Sequence, residues 1–264
     1  VELTYENGSA ADSFNQNPNG SYTITFIGNA APEGTYIAQI IAVDQYGAKT
    51  IKPIKLRRQI MTKIDFLKQK HLDMFDEKRN EHTEYVAKLY REYVSDKDLA
   101  KEDKNVLFGD FYMHFAEQFP VEIYENERVV GTNWCWHWQD KLKDLPRPMN
   151  MGHYIPDFEG FLKKGICGKL DDAKALGVGE EKSMLAFKRY VERHAEAAKK
   201  EYEVAAIDDR ERLLEIAECC EAISFAPPAT FRQALQLVWF ILSFTEFEAA
   251  CAAISLGRID KYLY

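Results

Sequence analysis

Hydrophobic and polar positions follow two different periods along the chain. Up to residue 58 they alternate in short runs: residues 22–27 read Tyr-Thr-Ile-Thr-Phe-Ile, and residues 36–43 are rich in β-forming side chains. Turn-forming residues separate these runs at 17–20 and 32–34. A two-residue period between turn signals is typical of antiparallel strands. We therefore predict that residues 1–58 form part of a β-sandwich.

From residue 61 onward the apolar positions recur at helical spacing. This period predicts five long amphipathic helices, at residues 63–94, 105–119, 181–205, 208–224 and 230–249. The change of period divides the chain into two predicted domains, residues 1–58 and residues 61–264. The fold class predicted for the whole chain is mainly α with some β.

The last of these helices carries further signals. Thr230 followed by Gln233 forms a capping box after the helix-breaking pair Pro227-Pro228. Residues 237–242 are apolar on every side, which predicts that the helix is buried inside a large core. The small and β-compatible residues 250–255 predict a strand buried on both faces.

Composition narrows the class of protein. The chain has 42 acidic and 34 basic residues, a net charge of −8, and no long basic stripe, which argues against nucleic acid and anionic membrane surfaces as partners. The longest apolar run, residues 237–242, is far shorter than the roughly 20 residues that span a bilayer. We predict a protein with no membrane partner.

The cysteines and the tryptophan-rich segment offer other chemistry. The five cysteines lack zinc or disulfide spacing and suit a reducing cytosol, so the predicted localisation is cytoplasmic. Cys219 and Cys220 are interpreted as buried apolar residues on a helix. Residues 134–138 read Trp-Cys-Trp-His-Trp, and their alternation predicts an extended segment with three indoles on one face. One Cys and one His are too few ligands for zinc, so no metal site is predicted.

Three blocks of sequence resemble a known family. They are residues 125–133 (ENERVVGTN), residues 152–165 (GHYIPDFEGFLKKG), and residues 227–241 (PPATFRQALQLVWFI) followed by residues 252–264 (AAISLGRIDKYLY). Together they resemble the N-terminal part of glycyl radical enzymes related to pyruvate formate-lyase. Separately, residues 34–50 resemble the last hairpin of bacterial immunoglobulin-like repeats, which taken alone implies an extracellular or periplasmic setting.

The resemblance implies a fold and a radical chemistry. Family members form a ten-stranded α/β barrel, of which residues 61–264 would be the N-terminal portion. A radical S-adenosylmethionine activase installs a glycyl radical, which converts a cysteine to a thiyl radical that takes hydrogen from a small substrate. Neither the glycine loop nor the cysteine loop is found in this sequence. We therefore expect a fragment of an anaerobic dehydratase, lyase or formate C-acetyltransferase that binds no cofactor directly and is inactive by itself.

The same resemblance suggests residues of a substrate site, none of them catalytic. His153 occupies a Gly-His position where dehydratase-type members place a histidine against the substrate hydroxyl, and a histidine can exchange a proton there. Ala252 and Ala253 either make room for substrate or allow close barrel packing, and their motif is more similar to pyruvate formate-lyase. Asp157 is either a substrate contact or the N-cap of the following helix. Arg258 and Asp260 are interpreted as a structural pair.

Other functions stay open at this point. The expected partners are a small-molecule substrate, the activating enzyme and a second copy of the chain in a homodimer. The alternative is a surface β-sandwich binding module fused to a non-catalytic helical remnant.

Overall fold

A computed structural model describes residues 13–16, 22–25, 34–43, 49–58, 63–148, 152–249 and 253–263. Side chains are described from Lys68 onward. The chain divides into two compact units, Val1–Leu72 and Asp73–Tyr264, which are described separately.

The first unit contains two antiparallel pairs of strands. Their bounds are Ser13–Gln16 (β1), Tyr22–Thr25 (β2), Gly34–Val43 (β3) and Lys49–Arg58 (β4). β1 pairs with β2, and β3 pairs with β4 so that Val43 lies opposite Lys49. The predicted strands are therefore present, and the immunoglobulin-like fold stays a prediction.

The second unit is mainly helical. α1 (Lys63–Val94) begins in the first unit and continues into the second. The other elements of the second unit are Lys104–Gln118 (α2), His153–Tyr154 (β5), Phe158–Leu176 (α3), Val178–Val204 (α4), Ile207–Phe225 (α5), Phe231–Ala249 (α6), Ala253–Ile254 (β6) and Ile259–Tyr262 (α7). The five predicted helices are confirmed, with ends that move by at most three residues. The barrel that the resemblance implies stays a prediction.

Side-chain caps fix where three helices begin. The Asp103 carboxylate accepts the amides of the first turn of α2, and the Asp157 carboxylate accepts the Gly160 amide at 2.9 Å. Thr230 Oγ1 accepts the Gln233 amide at 3.2 Å, and the Gln233 side chain accepts the Ala229 amide in return. These bonds satisfy amides that have no partner within a helix. The N-caps at Thr230 and Asp157 are confirmed, but the return bond of the predicted capping box goes to the Ala229 amide and not to that of Thr230.

The core is an aromatic cluster where α2, α4 and α6 meet. The rings of Phe115 and Phe247 stack with centroids 3.7 Å apart, and Tyr190 packs on Phe115 at 6.0 Å. α6 is buried along this face, but Phe231 and Leu235 on its other side are 64% and 40% exposed. Residues 237–242, from which burial was predicted, are all buried or half-buried, so the prediction is confirmed for this segment.

Gly165 kinks α3. Its φ of +69° and ψ of 179° are not helical, and its Cα is so close to the next chain segment that an added Cβ would lie 2.7 Å from the Pro227 nitrogen. Only glycine combines this backbone conformation with so close an approach. The kink lets α3 pass over the turn between α5 and α6.

The tryptophan-rich segment is not extended, which corrects the prediction. Trp134 and His137 have positive φ angles of 51° and 56°, and a 3-10 helix covers Trp138–Lys141. Trp134 and Trp138 are buried, whereas Trp136 is 41% exposed. The three indoles therefore do not share one face.

The strand predicted at residues 250–255 is shorter than expected. Only Ala253–Ile254 is a strand in the described part of this segment, and Ala253 is exposed. The prediction of burial on both faces is wrong for these two residues. None of the helices in the described part of the chain has both the length and the apolar character needed to cross a bilayer.

Candidate functional site

Two segments a hundred residues apart form a short parallel sheet. In β5 and β6, His153 lies opposite Ala253 and Tyr154 lies opposite Ile254. The Ala253 amide donates to the Gly152 carbonyl at 3.1 Å, and the Ser255 amide donates to the Tyr154 carbonyl at 2.9 Å. The sheet therefore joins the Gly-His segment to the segment after α6.

The two faces of this sheet differ. Side chains alternate between the faces of a strand, so His153 and Ala253 share one face and Tyr154 and Ile254 share the other. The first pair is exposed and the second is half-buried. We call the exposed face, defined by His153 and Ala253, the strand face. The imidazole of His153 thus lies beside the small side chain of Ala253, which leaves space on the strand face next to the ring.

The structure separates the predicted site residues into two groups. It brings His153 and Ala253 together, while Ala252 lies outside the described residues. Asp157 caps α3 and pairs with Lys169, whose Nζ is 2.9 Å from its carboxylate. Burial opposes ionisation of Asp157, but the Lys169 ammonium and the Gly160 amide outweigh it and lower the pKa of that carboxyl. A contact between Asp157 and substrate stays a prediction.

Loop side chains cap the C-terminal end of α6, which leads into β6. Trp138 Nε1 and Gln139 Nε2 both donate to the Phe247 carbonyl at 2.8 Å. One turn earlier, Asn133 Nδ2 donates to the Ser243 carbonyl at 3.0 Å. The last carbonyls of a helix have no partner within it, so the tryptophan-rich segment holds this end of α6 in place.

Arg258 and Asp260 form an exposed two-pronged ion pair beyond β6. The Nε–Oδ1 distance is 2.9 Å and the Nη2–Oδ2 distance is 2.7 Å. This geometry confirms the interpretation of the two residues as a structural pair.

A second concave feature lies among the helices. A cleft of about 790 Å³ is bounded by α2, α3, α4 and α6, and we call it the helical cleft. Tyr154 and Asp157 line it, but His153 and Ala253 are absent from its wall. Six aromatic side chains line it: Phe108, Tyr112, Tyr154, Phe161, Phe187 and Phe244.

Glu248 projects into the helical cleft from the last turn of α6. Burial raises the pKa of its carboxyl to about 8. Glu248 was not predicted as a site residue, although its spacing in the sequence is informative. Glu248 follows Phe244 by four positions and Ile241 by seven, which places a carboxyl on an apolar helix face.

In the part of the chain that the structure describes, the cysteines do not form a reactive thiol site and no metal-ligand cluster is found. The thiols of Cys135 and Cys220 are fully buried, and burial raises both pKa values well above the usual range. Cys219 is also buried, which confirms the interpretation of Cys219 and Cys220. Within the described ranges no three His, Cys, Asp or Glu side chains are grouped as metal ligands.

Comparison with known proteins finds a family match over part of the chain. Residues 137–264, just under half of the chain, match the pyruvate formate lyase-like family. Over this region the chain is similar to the glycyl radical enzymes. The match includes β5, β6 and the helices between them.

Individual relatives agree with this assignment. The chain is 41% identical to the probable dehydratase YbiW of Escherichia coli (strain K12) over 31% of its own length and 10% of that protein. It is 31% identical to the (2S)-3-sulfopropanediol dehydratase of Klebsiella oxytoca over 60% of its length and 24% of the enzyme. The chain thus spans a quarter or less of these two relatives.

A solved structure supports the fold. The glycerol-bound B12-independent glycerol dehydratase of Clostridium butyricum superposes with a TM-score of 0.56 at 18% identity. The superposition covers 73% of this chain and 36% of that structure. The mainly helical fold described above is therefore similar to part of a glycyl radical enzyme.

Proposed function

We propose that this chain forms part of the substrate-binding wall of a glycyl radical dehydratase that acts on a small hydroxylated metabolite. The observation that carries the proposal is the strand face, where His153 and Ala253 lie side by side and exposed. The names of the relatives support dehydration over acetyl transfer. The substrate would bind on the strand face.

The residues of this chain would act on the leaving group. A glycyl radical and its thiyl partner, carried outside the matched region, would supply hydrogen abstraction from the substrate. The hydroxyl that leaves the substrate radical needs a proton, and the imidazole of His153 would donate it. Ala253 would leave room for the substrate carbon chain beside that ring. Ala252 and Asp157 are kept as further proposed contacts.

The lack of an arginine in residues 152–165 also supports a dehydratase. A formate acetyltransferase binds a carboxylate substrate, which an arginine holds with two parallel hydrogen bonds. His153 instead suits a hydroxyl, because an imidazole both donates and accepts a proton. The small side chain of Ala253 would then serve to leave space on the strand face.

We further propose that the 264-residue chain does not turn over alone. The described cysteines are held among the helices: three are buried, and Cys167 donates to the Ser224 carbonyl at 3.4 Å. The thiyl cysteine would therefore lie outside the 264-residue chain. The activase and the second copy in a homodimer would be separate partner proteins. The alternative of a surface β-sandwich binding module is less favoured, because the matched relatives are enzymes.

Product analysis tests this function. A full-length enzyme that carries this chain would be activated anaerobically and supplied with 1,2-propanediol, glycerol or trans-4-hydroxy-L-proline. We expect loss of water from one of them, with the enzyme not treated with activase as the control. Conversion of pyruvate and coenzyme A to formate and acetyl-coenzyme A, with no dehydration of any of the three, would contradict the proposal.

A further inference from the structure

The helical cleft is separate from the strand face. Its wall is formed by helices and by the half-buried side of β5, whereas His153 and Ala253 lie on the opposite side of the sheet. A volume of about 790 Å³ is within the range of small-molecule sites. Glu248 and the phenylalanines of the cleft take no part in the proposed dehydratase site, so a ligand bound to them is independent of that function.

Glu248 is half-buried in the wall of the helical cleft. Its carboxylate has no hydrogen bond or ion pair to any side chain in the described ranges, and burial alone accounts for its raised pKa. It also lies in the last turn of α6, where the helix dipole disfavours negative charge. Glu246, in the same turn, has the His137 ring 4.0 Å away. Only Glu248 of this pair is directed into the cleft.

The walls around Glu248 suit a positive charge. The ring of Phe244, one turn before Glu248, lies 5.3 Å from Phe187, and Phe187 lies 5.7 Å from Phe161, measured between centroids. Aromatic faces attract cations, most strongly where water is excluded. One such contact exists at the cleft already, since Lys169 Nζ lies 5.6 Å from the centroid of Phe161.

The other charges that line the helical cleft are engaged or lie near solvent. Lys169 bridges Asp157 and Asp172, and Glu180 accepts a hydrogen bond from Asn105. The remaining two, Lys104 and Arg147, are exposed. The wall of the cleft therefore carries one uncompensated acid, Glu248, together with aromatic rings.

We propose that the helical cleft binds a small organic cation, an ammonium group on a compact apolar body, with Glu248 as its counter-ion. The ammonium would lie against Phe187 and Phe244, and its apolar substituents would fill the space toward Phe161. Such a ligand supplies both the charge that Glu248 lacks and the apolar surface that the rings offer. An anion or an uncharged ligand would leave the carboxylate unpaired.

Calorimetric titration of the 264-residue chain with tetramethylammonium tests the proposal. The buffer is kept more alkaline than the pKa of Glu248, so that the carboxyl is ionised. We expect saturable binding that weakens about 30-fold or more in Glu248→Gln, because a desolvated charge then loses its partner. Glu246→Gln is the matched control, since it removes a carboxylate from the same helical turn but outside the cleft. It should bind as the unsubstituted chain does.

A second ligand makes the test independent of the variant. Tert-butanol has a similar size and shape but no charge, and the unsubstituted chain should bind it far more weakly than tetramethylammonium. If Glu248→Gln does not fold, the difference in affinity between tetramethylammonium and tert-butanol still tests whether the cleft prefers a cation. Absence of saturable tetramethylammonium binding, equal binding of both compounds, or equal loss in Glu246→Gln would each overturn the proposal.

Discussion

The indole N–H of Trp138 donates a 2.8 Å hydrogen bond to the main-chain carbonyl of Phe247, and the two rings stack with centroids 5.9 Å apart. Gln139 Nε2 donates to the same carbonyl at 2.8 Å. Phe247 lies in the last turn of α6, so this shared carbonyl fixes the helix end that leads into β6. A loop 108 positions away in sequence thus caps the helix that precedes β6.

The two donors should be energetically coupled. Trp138→Phe should lower the free energy of unfolding by about 3 kcal/mol through lost packing and one hydrogen bond. Gln139→Leu should cost about 1 kcal/mol. The double variant should lose about 1 kcal/mol more than the sum, because the carbonyl of Phe247 is then buried without a donor. Urea unfolding measures all three, and strict additivity would show that the donors act separately.

Gly165 should not tolerate a side chain. Gly165→Ala places a Cβ 2.7 Å from the Pro227 nitrogen at a φ of +69°, so we expect a loss of about 3 kcal/mol or more. Gly152→Ala is the control, because its added Cβ has no atom within 4 Å. That change should alter stability by no more than about 0.5 kcal/mol. Equal thermal unfolding temperatures for the two variants would rule out the steric explanation of the kink.

His194 should make stability depend on pH. Burial lowers the pKa of His194 to about 4, although its hydrogen bond to the Tyr190 carbonyl opposes the shift. Between pH 6.5 and pH 4 the unfolded chain binds this proton and the folded chain does not, so the free energy of unfolding falls as pH falls. The contribution of His194 amounts to about 3 kcal/mol over that window.

His194→Gln isolates this contribution. Glu127, with a pKa raised to about 7 by burial, gives the opposite sign, since its folded form gains a proton that is lost as pH rises. The contribution of Glu127 is the same in the unsubstituted chain and in His194→Gln, so it cancels when their free energies of unfolding are subtracted. Denaturant unfolding at several pH values should show that the unsubstituted chain loses stability more steeply toward pH 4 than the variant. Parallel curves would mean that His194 does not titrate as described.

Local patterns were sufficient for the helices. The caps at Asp157 and Thr230 lie within one turn of the amides that they bind, so residue type and spacing were enough to predict them. The kink at Gly165 could not be predicted in this way. It depends on the backbone of Pro227, which lies 62 positions further along and leaves no local signal.

The candidate site was predicted only in part. The family resemblance selected His153 and Ala253, but their pairing across two-residue strands has no periodicity from which to predict it. The alternation of tryptophans at residues 134–138 predicted an extended segment, which is wrong. The chain instead forms a loop with positive φ angles at Trp134 and His137, and this loop hydrogen-bonds to α6 through Trp138. Glu248 was missed for a related reason. A carboxyl on an apolar helix face indicates a binding site only when the structure shows no ionic or hydrogen-bonding partner for it.

In the proposed dehydratase the substrate lies against the strand face, in contact with His153. The direct measurement is kcat/KM for dehydration by the activated full-length enzyme with His153→Ala or with Ile254→Leu, which changes the opposite face of the same sheet. We predict that His153→Ala lowers kcat/KM about 100-fold, the range typical of a lost proton donor. Ile254→Leu should leave kcat/KM unchanged. A His153→Ala enzyme with unchanged kcat/KM, or an equal loss in both variants, would contradict the account.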